Sequence, residues 1–168
     1  IKDWDQRGYG EDLMVTADLA IPEFFDLVPA EVAEGVLGEM PISEKDTQQF
    51  KRFSKKWSEK YDSEAGGAYQ ANTYDAQVIL ALAIEAAGEA TGQGIAENYR
   101  KIATPPGKKV YSFAEGVEEL RKGNDINYEG ASGPCDFDEY GNVSGSYALL
   151  KAENGKWVQY RFYSAKNL

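Results

Sequence analysis

The stretch DLMVTADLAIPEFFDLVPAEVAEGVLGEMP, residues 12–41, carries the reading that decides the fold. DLMVTAD (12–18) is a short, largely apolar run of strand length. IPEFFDLVPAEVAEG (21–35) follows as helix. Pro22 suits a first helical turn, and Pro29 should end or kink that helix. GVLGEMP (35–41) is a second short apolar run, stopped by Pro41. Parallel strands need a crossover, and strand, helix, strand in this span is the repeating unit of a parallel sheet.

Before this unit, IKDWDQRGYG (1–10) reads as the tail of a helix closing on Gly8 or Gly10. After it, Ser43 is expected to open a helix, SEKDTQQFKRFSKKWSEKY (43–61), with Asp46 three residues on as a weak capping box. Phe50, Phe53, Trp57 and Tyr61 recur at spacings of three and four, one apolar stripe, with lysines on the wet face. SEAGGAY is a loop. NTYDAQVILALAIEAAG (72–88) is a second helix, apolar around most of its circumference and therefore buried, with Gly88 placed to cap it. GIAENYRKIA is a shorter helix and TPPGKK breaks the chain. SFAEGVEELRKG has Ser112 and Glu115 at capping-box spacing. INYEGASGP is a short strand running into turn residues. SGSYALLKAENGKWVQYRFY (144–163) is a hairpin around ENGK, and alternation in its second strand predicts one buried face. No internal repeat or low-complexity segment is present.

Composition narrows the function classes. The chain has 168 residues, 42% hydrophobic and 27% charged, as in an ordinary globular domain. No apolar run reaches the roughly 20 residues of a membrane span. The formal net charge of −10 repels phosphate backbones, so nucleic acid is not an expected partner. There is no histidine and one cysteine, Cys135. Zinc sites, Ser-His-Asp triads and an internal disulfide are therefore excluded within this polypeptide. Cys135 reads as a small buried residue. No cofactor is implied. The chain begins without Met, leader or lipoprotein cysteine, which reads as a removed leader or a start inside a longer protein.

GPCDFDEYGNVSG (133–145) looks like a calcium loop but fails its own pattern. Counted from Asp136, the first, third, fifth, sixth and twelfth positions are Asp136, Asp138, Tyr140, Gly141 and Tyr147. The fifth ligand is an aromatic ring and the bidentate Glu is absent. The expected reading is a turn, with Gly141 and Asn142 making the bend and no metal.

The same turn opens a resemblance. A strand, GP, FDEYGNVSG and YALLKAENGKWV resemble the C-terminal end of periplasmic solute-binding proteins of the Leu/Ile/Val-receptor family, the branched-chain amino acid receptors of ABC transporters. AEGVLGEMP is similar to that family's AEG strand leading out of one lobe. YQANTYDAQVILALAIEAAG is similar to its Y-D-A-V helix, closing on A-x-E-x-A-G. The resemblance covers most of the chain and implies an α/β fold of type I periplasmic-binding-protein kind. Here it would be partial: pieces of two parallel-sheet lobes plus a C-terminal β-hairpin. It implies residues 1–39 and 135–168 in the second lobe and 42–132 in the first, with crossings near 40–41 and 133–134. The N-terminal half of the family fold would be absent from this sequence, and apolar surface left uncovered predicts self-association.

The resemblance further implies a non-enzymatic, periplasmic or extracellular solute-binding component of an importer, with a lipid anchor on the absent N-terminus as one option. Its partners would be a small-molecule solute, such as an amino acid or amide, and a membrane permease. Asp18 matches the family's acidic residue that meets a ligand ammonium; capping of the helix near Pro22 is the alternative for it. Tyr69, Gln70 and Asn72 lie in the loop that faces the cleft in the family. Tyr74, behind them, reads as core beside Val78 and Leu82. Two rivals remain open: a sensor domain borrowing the fold, and a carboxylate hydrolase using Asp136, Asp138 or Glu139. The latter three sit too close in sequence to flank a scissile bond from two sides.

Overall fold

The computed structural model describes residues 1–8 and 13–165. Chain contacts divide it into two units: Ile1–Ile42 with Ser146–Leu168, and Ser43–Gly145. The residues of the first strand run before Leu13, and Gly10, lie outside the described residues.

In the first unit α1 (Lys2–Gln6) ends ahead of Gly8, which has φ +63°. Strand β1 (Met14–Val15) pairs in parallel with β2 (Leu37–Pro41). The crossover between them is helical in two pieces, α2 (Phe24–Leu27) and α3 (Ala30–Ala33), broken at Pro29. Proline has no N–H to continue the ladder, so the break falls where the sequence placed it. Helix α2 starts at Phe24, two residues later than Pro22 suggested, and Glu23 at its N-cap makes no side-chain capping bond.

The chain returns to this sheet as β5 (Tyr147–Glu153), antiparallel to β2, and β6 (Lys156–Tyr163), giving the order β1-β2-β5-β6. The β5–β6 turn has positive φ at both Asn154 (52°) and Gly155 (73°), the backbone of a type I′ hairpin. The core of this unit is Val15, Phe24, Val36, Ala148 and Leu150 with their neighbours. Trp157 closes it: its ring lies 5.1 Å from Phe24 and 5.5 Å from Phe25, and its indole N–H donates to Ile21 O at 3.0 Å. The buried face expected along β6 stops there. A register shift opposite Leu149/Leu150 disrupts the alternation, and Tyr160 and Phe162 are exposed on an edge strand.

The second unit holds helix α4 (Gln48–Tyr61), α5 (Gln70–Ala87), α6 (Gly92–Asn98) and α7 (Phe113–Arg121), with parallel strands β3 (Lys108–Val110) and β4 (Ile126–Tyr128). The cap of α4 is Thr47, not Ser43: Thr47 Oγ1 accepts from the Phe50 N–H at 3.1 Å. Both are hydroxyl residues, and the first free amides of α4 lie within reach only of the nearer one. Gly88 caps α5 with φ +70°. Ser112 Oγ accepts from the Glu115 N–H at 3.3 Å, while Glu115 Oε2 accepts from the Tyr111 N–H at 2.8 Å. This box reaches back one residue further than its usual form. Strand β3 has only Val110 buried, and two exposed lysines hid it from an apolar-run reading.

Helix α5 is the centre of this unit. Val78, Ile79 and Leu82 pack with Ile102, Val110, Ile126, Tyr128 and Cys135. Each such buried aliphatic side chain contributes about 1.5–3 kcal/mol. Residues 133–145 stay with this unit, so the chain leaves it after Gly145 rather than near 133–134. The reason is local: Phe137 stacks edge-on against Tyr99 at 5.1 Å, its N–H donates to Thr104 Oγ1 at 3.0 Å, and Arg100 donates to Glu139 O at 3.2 Å.

Candidate functional site

The loop ahead of α5 and the apolar stripe of α4 enclose a cavity of about 470 Å³ in the second unit. One wall is Phe53, Lys56, Trp57, Lys60 and Tyr61 from α4; the other is Ala68 to Gln70 with Thr73, Tyr74 and Gln77 from α5. The spacing that builds the stripe also builds the wall. Phe53 is buried, Trp57 half-buried and Tyr61 exposed, so the stripe runs from core to solvent along one helix face. Rings stand 5.8 Å apart for Phe53 and Trp57, 4.5 Å for Trp57 and Tyr61, and 5.2 Å for Phe53 and Tyr74. Trp57 is fixed by its indole N–H, which donates to Ser63 Oγ at 3.1 Å.

Tyr69 and Gln70 both line this cavity. Tyr69 sits at the N-cap of α5 in the left-handed region, φ +63°, where a residue with a Cβ is strained. Its ring is half-exposed at the cavity. Gln70 shapes the loop: its Oε1 accepts from the Gly66 N–H at 3.0 Å and the Gly67 N–H at 3.1 Å. Asn72 is exposed and outside the cavity lining. Tyr74 packs against the core, as its spacing from Val78 predicted, and also shows to the cavity. Asp18 belongs to the first unit, exposed in the turn Thr16–Leu19 after β1, where the Leu19 N–H donates to Thr16 O at 2.9 Å. It does not cap α2, whose N-cap is Glu23.

Two features of the site went unread in the sequence. The helical spacing places Lys56 and Lys60 on the wet face, whereas in the structure they flank the aromatic wall. Asp75, inside the Tyr-Asp-Ala stretch, is a buried carboxylate behind the cavity. It accepts from the Tyr128 hydroxyl (2.8 Å), the Ala131 N–H (2.9 Å), the Ser132 N–H (2.7 Å) and the Ser132 hydroxyl (2.6 Å). Burial raises its pKa above the ordinary carboxylate value, and these four donors oppose that rise. The signal was available: a carboxylate on a helix apolar all round must find partners or pay desolvation in full. Burial likewise pushes the Cys135 thiol up to about 12, so it carries no thiolate near neutrality.

The acidic turn is self-satisfied. Asp138 Oδ1 accepts from the N–H groups of Tyr140 (2.9 Å) and Asn142 (2.7 Å), and Oδ2 from Asn142 Nδ2 at 3.0 Å. These bonds hold its carboxyl below the usual range. Among the described residues no group of three or more Asp, Glu or Cys side chains is placed to hold a metal ion.

Residues 10–154 match the family described as "Receptor family ligand binding region". No curated protein matches the chain. Among solved structures, it is similar to a leucine binding protein LivK from Thermotoga maritima, with 24% identity and TM-score 0.66, covering 99% of this chain and 41% of that one. It is also similar to the branched-chain amino acid transporter substrate binding protein LivJ from Streptococcus pneumoniae, solved in complex with isoleucine. There the identity is 18% and the TM-score 0.58, covering 95% of this chain and 38% of that one. At such identities these likenesses show the fold: α/β, matching part of a type I periplasmic binding protein. The chain spans about two fifths of the length of these proteins.

Proposed function

The chain belongs to the receptor ligand-binding-region family, and from that premise we propose that it is part of a non-catalytic solute-binding component of an importer. It would bind an amino acid, an amide or a related small molecule reversibly, outside the cytoplasm, and deliver it to a membrane permease. The observation that carries the reading is the cavity at the start of α5, where Tyr69 and Gln70 meet the aromatic face of α4. Its volume falls in the range of small-molecule sites, and its mixture of rings with a few polar groups is what such sites use. The similar leucine binding protein of Thermotoga maritima and the isoleucine complex of the Streptococcus pneumoniae protein support the amino-acid class.

In this reading Ile1–Ile42 with the C-terminal hairpin is part of the second lobe, and Ser43–Gly145 part of the first. Asp18 supplies a carboxylate for an ammonium-bearing ligand, a charge-assisted bond worth more than a neutral one. Asn72 contributes from beyond the cavity lining. The remainder of the receptor would come from chain outside this sequence.

The test is calorimetric titration of leucine, phenylalanine and acetamide into the chain, alone and as Asp18→Asn. The reading expects saturable heat from at least one solute. It also expects a loss of about tenfold on Asp18→Asn for amino acids only, one charged hydrogen bond's worth. Absence of binding by all three solutes would overturn it.

A further inference from the structure

We propose that Asn142 is an N-glycosylation acceptor, held back in the folded chain by its own bond to Asp138. The inference draws only on the extracytoplasmic part of the solute-binding reading and is independent of the cavity. Of the asparagines in the chain, Asn142 alone is followed two residues on by Ser or Thr, and the residue between, Val143, is not proline. A hydroxyl at that spacing is what an oligosaccharyltransferase requires beside the amide. A proline would instead fix the backbone between them. The sequence thus lies inside the acidic turn that resembles a calcium loop and is not one.

Placement supports the assignment. Asn142, Val143 and Ser144 are all exposed and lie outside every helix and strand. Tyr140 beside them is 78% exposed, so a sugar on this turn meets solvent rather than core. The fold does not need the acceptor groups. Backbone bonds hold the bend: the Asp138 N–H donates to Asn142 O at 2.9 Å and the Gly141 N–H to Asp138 O at 3.1 Å, with Phe137 and Val143 bridged antiparallel. Among the described residues the Ser144 hydroxyl has no hydrogen-bond partner. Asn142 Nδ2 makes one bond, donating to Asp138 Oδ2 at 3.0 Å. Asp138 is ionised at neutral pH, its carboxyl held below the usual range by the Asn142 side chain and the amides of the turn. The bond is therefore charge-assisted, and Nδ2 must leave it to react.

The co-reactant is a polyprenyl-diphosphate-linked oligosaccharide. The bond from C1 of its first sugar to the phosphate oxygen breaks, and the diphosphate leaves with the electron pair. A bond from C1 to Asn142 Nδ2 forms, and Nδ2 gives one proton to a base of the transferase. Nothing is oxidised or reduced. The product amide keeps one N–H, and the Asn142 backbone N–H keeps its own bond to Asp138 Oδ1 at 2.7 Å, so the turn can persist under the glycan.

The test incubates the folded full chain with a eukaryotic oligosaccharyltransferase and a dolichol-diphosphate-linked oligosaccharide, with a short acceptor peptide as positive control. Transfer is timed and mapped by peptide mass spectrometry. No solute enters the assay, so its outcome and that of the calorimetric titrations are separable. The expected result is one glycan, on Asn142, and none on Asn142→Gln or Ser144→Ala. Asp138→Ala should accept the glycan about tenfold faster, the value of one charge-assisted hydrogen bond partly screened by water. Glu139→Ala removes the same charge from the same turn without touching Asn142 and should react at the native rate. No transfer to the native chain while the control peptide is modified, or a glycan on another asparagine, overturns the inference. Equal rates for the native chain and Asp138→Ala, or equal acceleration by Glu139→Ala, overturn the restraint by Asp138.

Discussion

The phenolic hydroxyl of Tyr128, at the end of β4, donates to Oδ1 of Asp75, on the first turns of α5, at 2.8 Å. Asp75 is 2% exposed and Tyr128 1%. The same carboxylate holds the Ala131 and Ser132 amides. One side chain thus fastens the segment leaving the two-stranded sheet to the helix that forms one wall of the cavity. Removing it strands four donors in a dry interior. Asp75→Ala is expected to destabilise the second unit by about 3–5 kcal/mol, the range for breaking a buried charged network. Tyr128→Phe, which deletes a single donor, should cost about 1–2 kcal/mol. Urea unfolding followed by far-UV circular dichroism checks both; equal costs would mean that Asp75 has no special place.

Gly130 lies so close to this carboxylate that a Cβ there would collide with it. The obstacle is a side chain fixed by four bonds, so it cannot swing aside cheaply. Gly130→Ala should destabilise by about 1–3 kcal/mol, as overpacking does. In an Asp75→Ala background the same change should cost far less, because the atoms it meets are gone. The double-mutant cycle measures that coupling. Additivity within about 0.5 kcal/mol would show that the glycine is needed for some other reason.

Acid stability should follow Glu119 rather than Asp75. Glu119 is 6% exposed and its Oε1 lies 2.9 Å from Lys122 Nζ and 3.0 Å from Lys108 Nζ, with Asn124 on Oε2 at 2.8 Å. Bonding to Lys122, then Lys108 and Asn124, holds its pKa at about 2, against 4.5 when free. A depressed carboxyl contributes stability above its unfolded pKa and loses it as pH falls toward the folded one. The loss therefore runs from about pH 4.5 down to about pH 2. Asp75 has the opposite sign: its pKa is raised by burial, so its contribution is greatest in acid and declines as pH rises through its folded value. Urea midpoints across pH 5 to 2.5 should fall for the native chain and fall less for Glu119→Gln. An unchanged slope in that variant would assign the acid sensitivity to other groups.

What could be read in the sequence was the order of elements. The strand–helix–strand of residues 12–41, the break at Pro29, the Asn-Gly hairpin and the Gly88 cap each follow from a local rule: a missing N–H, a positive φ, an apolar run of the right length. Choices between similar local options were harder to read. Ser43 and Thr47 are equally good caps by type, and only the geometry of the chain entering α4 selects the second. The exit at Gly145 depends on Phe137 finding Tyr99, a contact across 38 residues that no local pattern encodes. The site was half legible for the same reason. Tyr69 and Gln70 came from the resemblance, whereas Lys56 and Lys60 look like any wet face until α5 is laid beside them.

Tyr69 gives the sharpest test of the site, because its backbone and its ring make opposite demands. At φ +63° an L-residue pays about 1–2 kcal/mol that glycine does not. Glycine in turn costs about 0.5–1 kcal/mol through the freedom it adds to the unfolded chain. The two nearly cancel, so Tyr69→Gly should leave the urea midpoint close to that of the native chain. The ring, however, is part of the cavity wall, and its loss should weaken phenylalanine binding about tenfold, the value of one aromatic contact with its buried area. Asn72→Ala, one turn away and outside the lining, should weaken that affinity far less than Tyr69→Gly does. A Tyr69→Gly protein that is stable and binds normally would remove Tyr69 from the site. A protein that binds normally only when Asn72 is intact would move the site to the outer face of α5.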